Sequence, residues 1–123
     1  MLSQMGHNLD ITGAWQQAER HFKRALALNP KSVDAYLGLG FLYVHTHPKY
    51  ASAAEHAFTM ALALAKDTPL AGAHIGLTFA YYYQAKFRDA VREAEVYLAL
   101  HPDDATMKDL RDLALERANK AGQ

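Results

Sequence analysis

The feature that most constrains this chain is a repeat. Ala25-Leu26-Ala27-Leu28 returns as Ala61-Leu62-Ala63-Leu64 and, with one change, as Tyr97-Leu98-Ala99-Leu100, each step being 36 residues. The same offset joins Ala18, Ala54 and Ala90, and joins Phe22 and Phe58 to Ala94. A unit of this length cannot bury its apolar side alone, so copies must stack and share a continuous core. Three copies fit, with a different sequence after Pro102.

The repeating unit is helical. Trp15, Ala18, Phe22 and Ala25 follow i, i+3, i+7 and i+10, as do Ala51, Ala54, Phe58 and Ala61, and Phe87, Ala90, Ala94 and Tyr97. Each set is one face of a helix. Ahead of each lies a second stripe: Leu2, Met5, Gly6 and Leu9; then Tyr36, Leu39, Gly40 and Tyr43; then His74, Leu77, Thr78 and Tyr81. Every unit is therefore expected to be a leading helix followed by a trailing one. The 23 Ala and 16 Leu against 4 Val and 2 Ile support helix over sheet. Pro30 and Pro102 stop trailing helices, Ser32 and Asp103 are expected N-caps, and Thr68 before Pro69 reads as an N-cap with proline in the first turn. The total is seven helices, the last running from Asp103 to Ala121 as a cap. In that helix Met107, Leu110, Ala114, Ala118 and Ala121 form a narrow apolar stripe, while Lys108, Arg111 and Asp112 fall where the repeat would put core residues.

These residues resemble the tetratricopeptide repeat pattern, W-x2-L-G-x2-Y, then A-x3-F, then P. The middle copy carries it as Tyr36, Leu39, Gly40, Tyr43, Ala54, Phe58 and Ala61. The first supplies Gly6, Gly13, Trp15, Ala18, Phe22, Ala25 and Pro30, and the last Leu77, Tyr81, Phe87, Ala90 and Pro102. The resemblance implies an all-α tetratricopeptide-repeat right-handed superhelix of stacked antiparallel helix pairs. Three repeats would span residues 1–102 (about 1–32, 33–68 and 69–102), with a capping helix and tail over 103–123. In the last copy Thr78 replaces the packing glycine, and Ala94 with Tyr97 reverses the usual order of large and small, so a local adjustment is expected there. The middle copy has extra residues at His45 to Tyr50, read as a lengthened loop. The first copy lacks the start of its leading helix, so a longer parent repeat protein is a further expectation.

A second apolar stripe on a leading helix needs its own explanation. Leu37, Phe41 and Val44 lie at i, i+4 and i+7 beside the core stripe. Ile75, Phe79 and Tyr82 are their counterparts 38 residues on, with His45 matched by Tyr83; the first copy has Ser3, His7 and Asp10. In the family, leading helices line the inner surface of the superhelix. The resemblance thus implies a partner groove of Leu37, Phe41, Val44, His45, Ile75, Phe79, Tyr82 and Tyr83, with Phe41, Phe79 and Tyr82 as central anchors. The competing reading is that neighbouring helices and the cap bury this stripe. Gly38 and Gly76 would admit either a ligand backbone or a close-packed helix. The Lys, Asn and Arg that clamp a C-terminal carboxylate in some family members are missing from Ser3, His7, Leu37, Gly38, Phe41, Gly72 and Gly76. The expected partner is a protein or peptide with apolar anchors.

Charge and chemistry narrow the classes further. Thirteen Lys and Arg balance thirteen Asp and Glu, without clusters, so nucleic acid is not an expected partner. There is no cysteine, hence no disulfide or thiolate site. No apolar run approaches the roughly 18 to 20 residues of a membrane span, and Met1 to Asp10 has neither basic start nor apolar stretch, so a cytoplasmic chain without membrane insertion is expected. His45-Thr46-His47 is the best metal candidate, but no Cys or acidic cluster completes it, and no metal or other cofactor is expected. His74 reads as a packed imidazole with one hydrogen bond. Ser3, Ser32 and Ser52 read as surface or cap residues, Asp103-Asp104 as a helix start, and Arg88, Asp89, Arg92, Glu93 and Glu95 as a solvated face. An enzyme is not expected. The function read here is an interaction scaffold, with self-assembly into a homo-oligomer, or a small bacterial secretion-type chaperone, as alternatives.

Overall fold

The structure is a computed structural model, which describes residues 13–123. Among these residues the chain is all-helical. It comprises α1 (Trp15–Leu28), α2 (Val33–Thr46), a 3-10 turn (Pro48–Tyr50), α3 (Ala51–Ala65), α4 (Ala71–Tyr83), α5 (Phe87–Leu100) and α6 (Ala105–Lys120). Six of the seven expected helices are thus present. The other, with Leu2, Met5, Gly6 and Leu9, falls outside the described residues, as do Ser3, His7 and Asp10. No helix among those described is long and apolar enough to cross a membrane.

Each helix packs against the next along the chain, and α2 also packs against α4. That second-neighbour contact puts α2 and α4, the two leading helices, side by side. The main core lies where α2, α3 and α4 meet and gathers Leu39, Tyr43, Val44, Ala54, Ala57, Phe58, Ala73, Leu77 and Ala80. Smaller clusters join α5 to α6: Ala94, Tyr97 and Leu98 with Met107, and Ala90 and Val91 with Ala114. The expected cap is therefore a helix whose buried residues are Met107, Ala114 and Ala118.

Glycine and phenylalanine set the helix spacing. Phe58 is completely buried. A Cβ on Gly40 of α2 would stand 2.6 Å from its ring, and one on Gly76 of α4 would overlap it. Phe22 of α1 meets Gly38 of α2 in the same way. Gly38 and Gly76 therefore serve close helix packing, each admitting the ring of the preceding trailing helix. In the last unit the sizes invert: Thr78 and Ala94 are both fully buried, and Leu110 of α6 packs against the cluster that holds Ala94. The Thr78 hydroxyl is satisfied by donating to the His74 carbonyl, 2.8 Å away. Tyr97 accounts for the rest of the adjustment. Its ring stacks on His101 with centroids 4.7 Å apart, and its hydroxyl donates to Asp104 at 2.7 Å.

Several boundaries differ from the sequence reading. Ser32 caps α2 as expected, its hydroxyl accepting from the Ala35 N–H at 3.1 Å. The cap of α6 is Asp104 rather than Asp103, with Met107 N–H as donor. Thr68 does not cap α4, which starts at Ala71 with Leu70 before it. Leu70 packs against the main core, and its carbonyl accepts from Ala73 and His74, so burial of that leucine fixes the entry of the chain. The segment His45 to Tyr50 is not a lengthened loop. Helix α2 continues through Thr46, His47 Nδ1 accepts from the Lys49 N–H at 3.0 Å, and the 3-10 turn puts the Tyr50 ring 5.4 Å from Trp15 and 6.1 Å from Tyr43.

Polar links join neighbouring helices around the apolar clusters. Tyr43 O–H donates to Glu19 at 2.6 Å, tying α2 to α1. Burial of the phenol, reinforced by that carboxylate, pushes the Tyr43 pKa well up. Gln84 and Lys86 both bond Glu55 of α3, at 2.9 and 3.2 Å. His74 Nδ1 lies 2.8 Å from Glu93 Oε1, the single side-chain contact expected for a packed imidazole. No buried side-chain nitrogen or oxygen among the described residues lacks a partner.

Candidate functional site

The eight singled-out residues lie on α2 and α4, and these helices bring them to neighbouring faces. They do not share one environment. Val44 is a core residue, only 6% exposed, so it belongs with Leu39 and Tyr43 rather than beside them. Leu37, Phe41 and Phe79 are half-buried against the same core. The Phe41 ring meets Phe58 edge-on at 4.9 Å and lies against Gly72 of α4, filling the seam between the two leading helices.

Ile75 and Tyr82 are turned toward the C-terminal end. Ile75 packs on the cluster of Ala94, Tyr97, Leu98 and Met107. Tyr82 packs on Ala90, Val91 and Ala114, with its ring 5.4 Å from Phe87 and the Arg117 guanidinium 5.7 Å from its centroid. The cap helix therefore covers part of the stripe. His45 and Tyr83 remain exposed, Tyr83 at 44%.

What survives as an accessible feature is a pair of matching couples. On α2, His45 stacks on Phe41 with centroids 6.1 Å apart and planes 12° from parallel. On α4, Tyr83 lies over Phe79 at 6.2 Å. Both couples are i, i+4 pairs, which helical geometry sets one above the other. In each, the inner ring is held by the core and the outer ring is open to water. Apart from Asp34, neither helix carries an acidic side chain, and neither carries Lys or Arg. The edge therefore offers aromatic area, one phenol and one imidazole, and little fixed charge.

The other singled-out groups are engaged locally. His47 uses a ring nitrogen in capping the 3-10 turn. No three His, Cys, Asp or Glu side chains among the described residues come together as a metal site. A feature missed in the sequence is an open cleft of about 460 Å³ beside the α5–α6 turn, lined by Tyr97, Leu100, His101, Pro102, Asp103 and Asp104. The exchange of Ala94 and Tyr97 was its only sequence signal. Here the Tyr97 hydroxyl and the Met107 N–H hold the Asp104 carboxyl below its usual range. The same hydrogen bond raises the Tyr97 pKa.

No family model matches the chain, and a search of curated proteins likewise finds no match.

Proposed function

We propose that the chain is a non-catalytic interaction scaffold of the tetratricopeptide type, which takes an apolar segment of another protein against the joined face of α2 and α4. One observation carries this reading: the aromatic couples Phe41/His45 and Phe79/Tyr83 sit at matching places on adjacent helices, with anchored inner rings and open outer ones. Such rings bury much area with few rotors to freeze, the property that makes aromatic residues effective binding anchors. The scarcity of charge on both helices favours a partner segment that is itself uncharged where it makes contact.

The placement of the side chains decides how to test the idea. Phe41 and Tyr82 support the packing, so charging them would test stability. The informative variant is His45→Glu with Tyr83→Glu, on the two exposed positions. It is expected to keep the wild-type helical circular-dichroism signal and urea midpoint. Peptides selected from a random displayed library on the wild-type protein should carry large apolar anchors and bind the variant about tenfold or more weakly. Selected peptides that bind both proteins equally would overturn the assignment. Light-scattering mass over a concentration series comes first, because a dimer broken by the same variant would make the occupant a second copy of the chain.

A further inference from the structure

Helix α5 begins without a cap of its own. Lys86, the residue before it, makes no side-chain capping bond, and Ala85 stands at φ +60°. The missing acceptor arrives from the other end of α6. Gln123 Oε1 accepts from the Phe87 N–H at 3.0 Å and the Arg88 N–H at 3.3 Å, while its Nε2 donates to the Ala85 carbonyl at 2.7 Å. Arg88 reciprocates, donating from Nε to the Gln123 main-chain oxygen at 2.8 Å and from Nη2 to Asn119 Oδ1 at 3.2 Å. Gly122, at φ +76°, turns the chain so that the Gln123 N–H returns to the Ala118 carbonyl at 2.9 Å.

These exposed contacts secure a helix with a thin apolar attachment. Only Ala114 and Ala118 are buried in the C-terminal half of α6. Beneath that half lie Tyr82, Ala90 and Val91, with Arg117 over the Tyr82 ring. Tyr82 in turn stands 6.1 Å from Tyr83, the exposed member of the α4 couple. Solvent-exposed hydrogen bonds over few apolar contacts are the conditions under which a segment opens locally while the remainder stays folded.

We propose that Asn119–Gln123 is a releasable strap, and that its opening lifts the C-terminal half of α6 and extends the aromatic edge inward to Tyr82. Its regulatory meaning rests on the interaction function proposed above; the strap itself does not. The test uses the full chain and two single variants, Gln123→Ala and Arg88→Ala, each at an exposed position outside the couples. Amide hydrogen exchange should quicken about five- to tenfold at Phe87, Arg88 and residues 113–120, and stay unchanged in α2 and α3. Emission from added anilinonaphthalene sulfonate should rise as apolar surface is uncovered, while Trp15 fluorescence stays constant. Unchanged exchange in α6 would overturn the proposal, and so would an equal gain in every helix, which would make α6 inseparable from the rest. None of these readouts involves a partner, so failure here is distinguishable from failure of the peptide selection.

Discussion

The ring of Phe58 has backbone on two sides, Gly40 of α2 and Gly76 of α4. A glycine inside a helix costs stability relative to alanine, so its presence in both neighbours reflects the space the ring requires. Gly76→Ala is therefore expected to destabilise the protein by about 1–3 kcal/mol through overpacking, despite its better helix propensity. Phe58→Leu in the same background should recover part of that loss, whereas in the wild type it only loosens the core. Urea unfolding of the two single variants and the double variant measures the coupling, and strictly additive effects would refute it.

Individual helices are bounded partly by local chemistry and partly by distant packing. Tyr97 and Asp104 join the end of α5 to the start of α6, and their shared hydrogen bond has a pH signature with two limbs. The Asp104 carboxyl is held below 3.8, so its contribution is complete above that value and is lost as pH falls through the lowered pKa. The Tyr97 phenol is held above 10.0, so its contribution is complete below pH 10.0 and is lost as pH rises through the raised pKa. Asp104→Asn should shrink both limbs of the melting temperature against pH, with the raised phenols of Tyr43 and Tyr81 sustaining the remaining alkaline one; an unaltered acid limb would refute the link. The helices themselves were legible because their stripes repeat and because Pro30, Ser32 and Pro102 act on adjacent residues. The start of α4 was not, since a nearby Thr-Pro pair is outweighed by burial of Leu70 in a core assembled from other helices. Val44 was misplaced for a related reason: α2 meets α1, α3 and α4, and its buried face is wider than one stripe. Of the candidate site, the register between α2 and α4 was readable. Which rings end up covered was not, because α6 and Gln123 reach Tyr82 and α5 across more than thirty residues, without periodicity.

For the molecule as a whole, contacts run mainly between neighbours, and the main core is separate from the α5–α6 clusters. Stability in such an arrangement is a chain of interface contributions rather than one indivisible sum. Met107 is nearly inaccessible and joins α6 to Ala94, Tyr97 and Leu98. Met107→Ala should cost the C-terminal end about 2–5 kcal/mol. Because Trp15 is the only tryptophan and packs on Tyr50, its emission reports the opposite end. The far-UV transition of the variant should therefore begin at lower denaturant than the Trp15 transition. Coincident transitions would show one fully cooperative unit.

Besides the Phe58–Gly40 contact inside one helix pair, two ring-into-glycine junctions link successive pairs, and these are directional, the trailing helix carrying the plug and the following leading helix the socket. Chain growth by duplication is thereby confined to certain joints. An additional unit inserted after residue 68 would bring its own phenylalanine and glycine and find matching partners on both sides. The same unit joined after residue 102 would meet Ala94, which presents no ring for its glycine. The exchange of two side-chain sizes thus leaves α5 without the ring that a following glycine socket would receive.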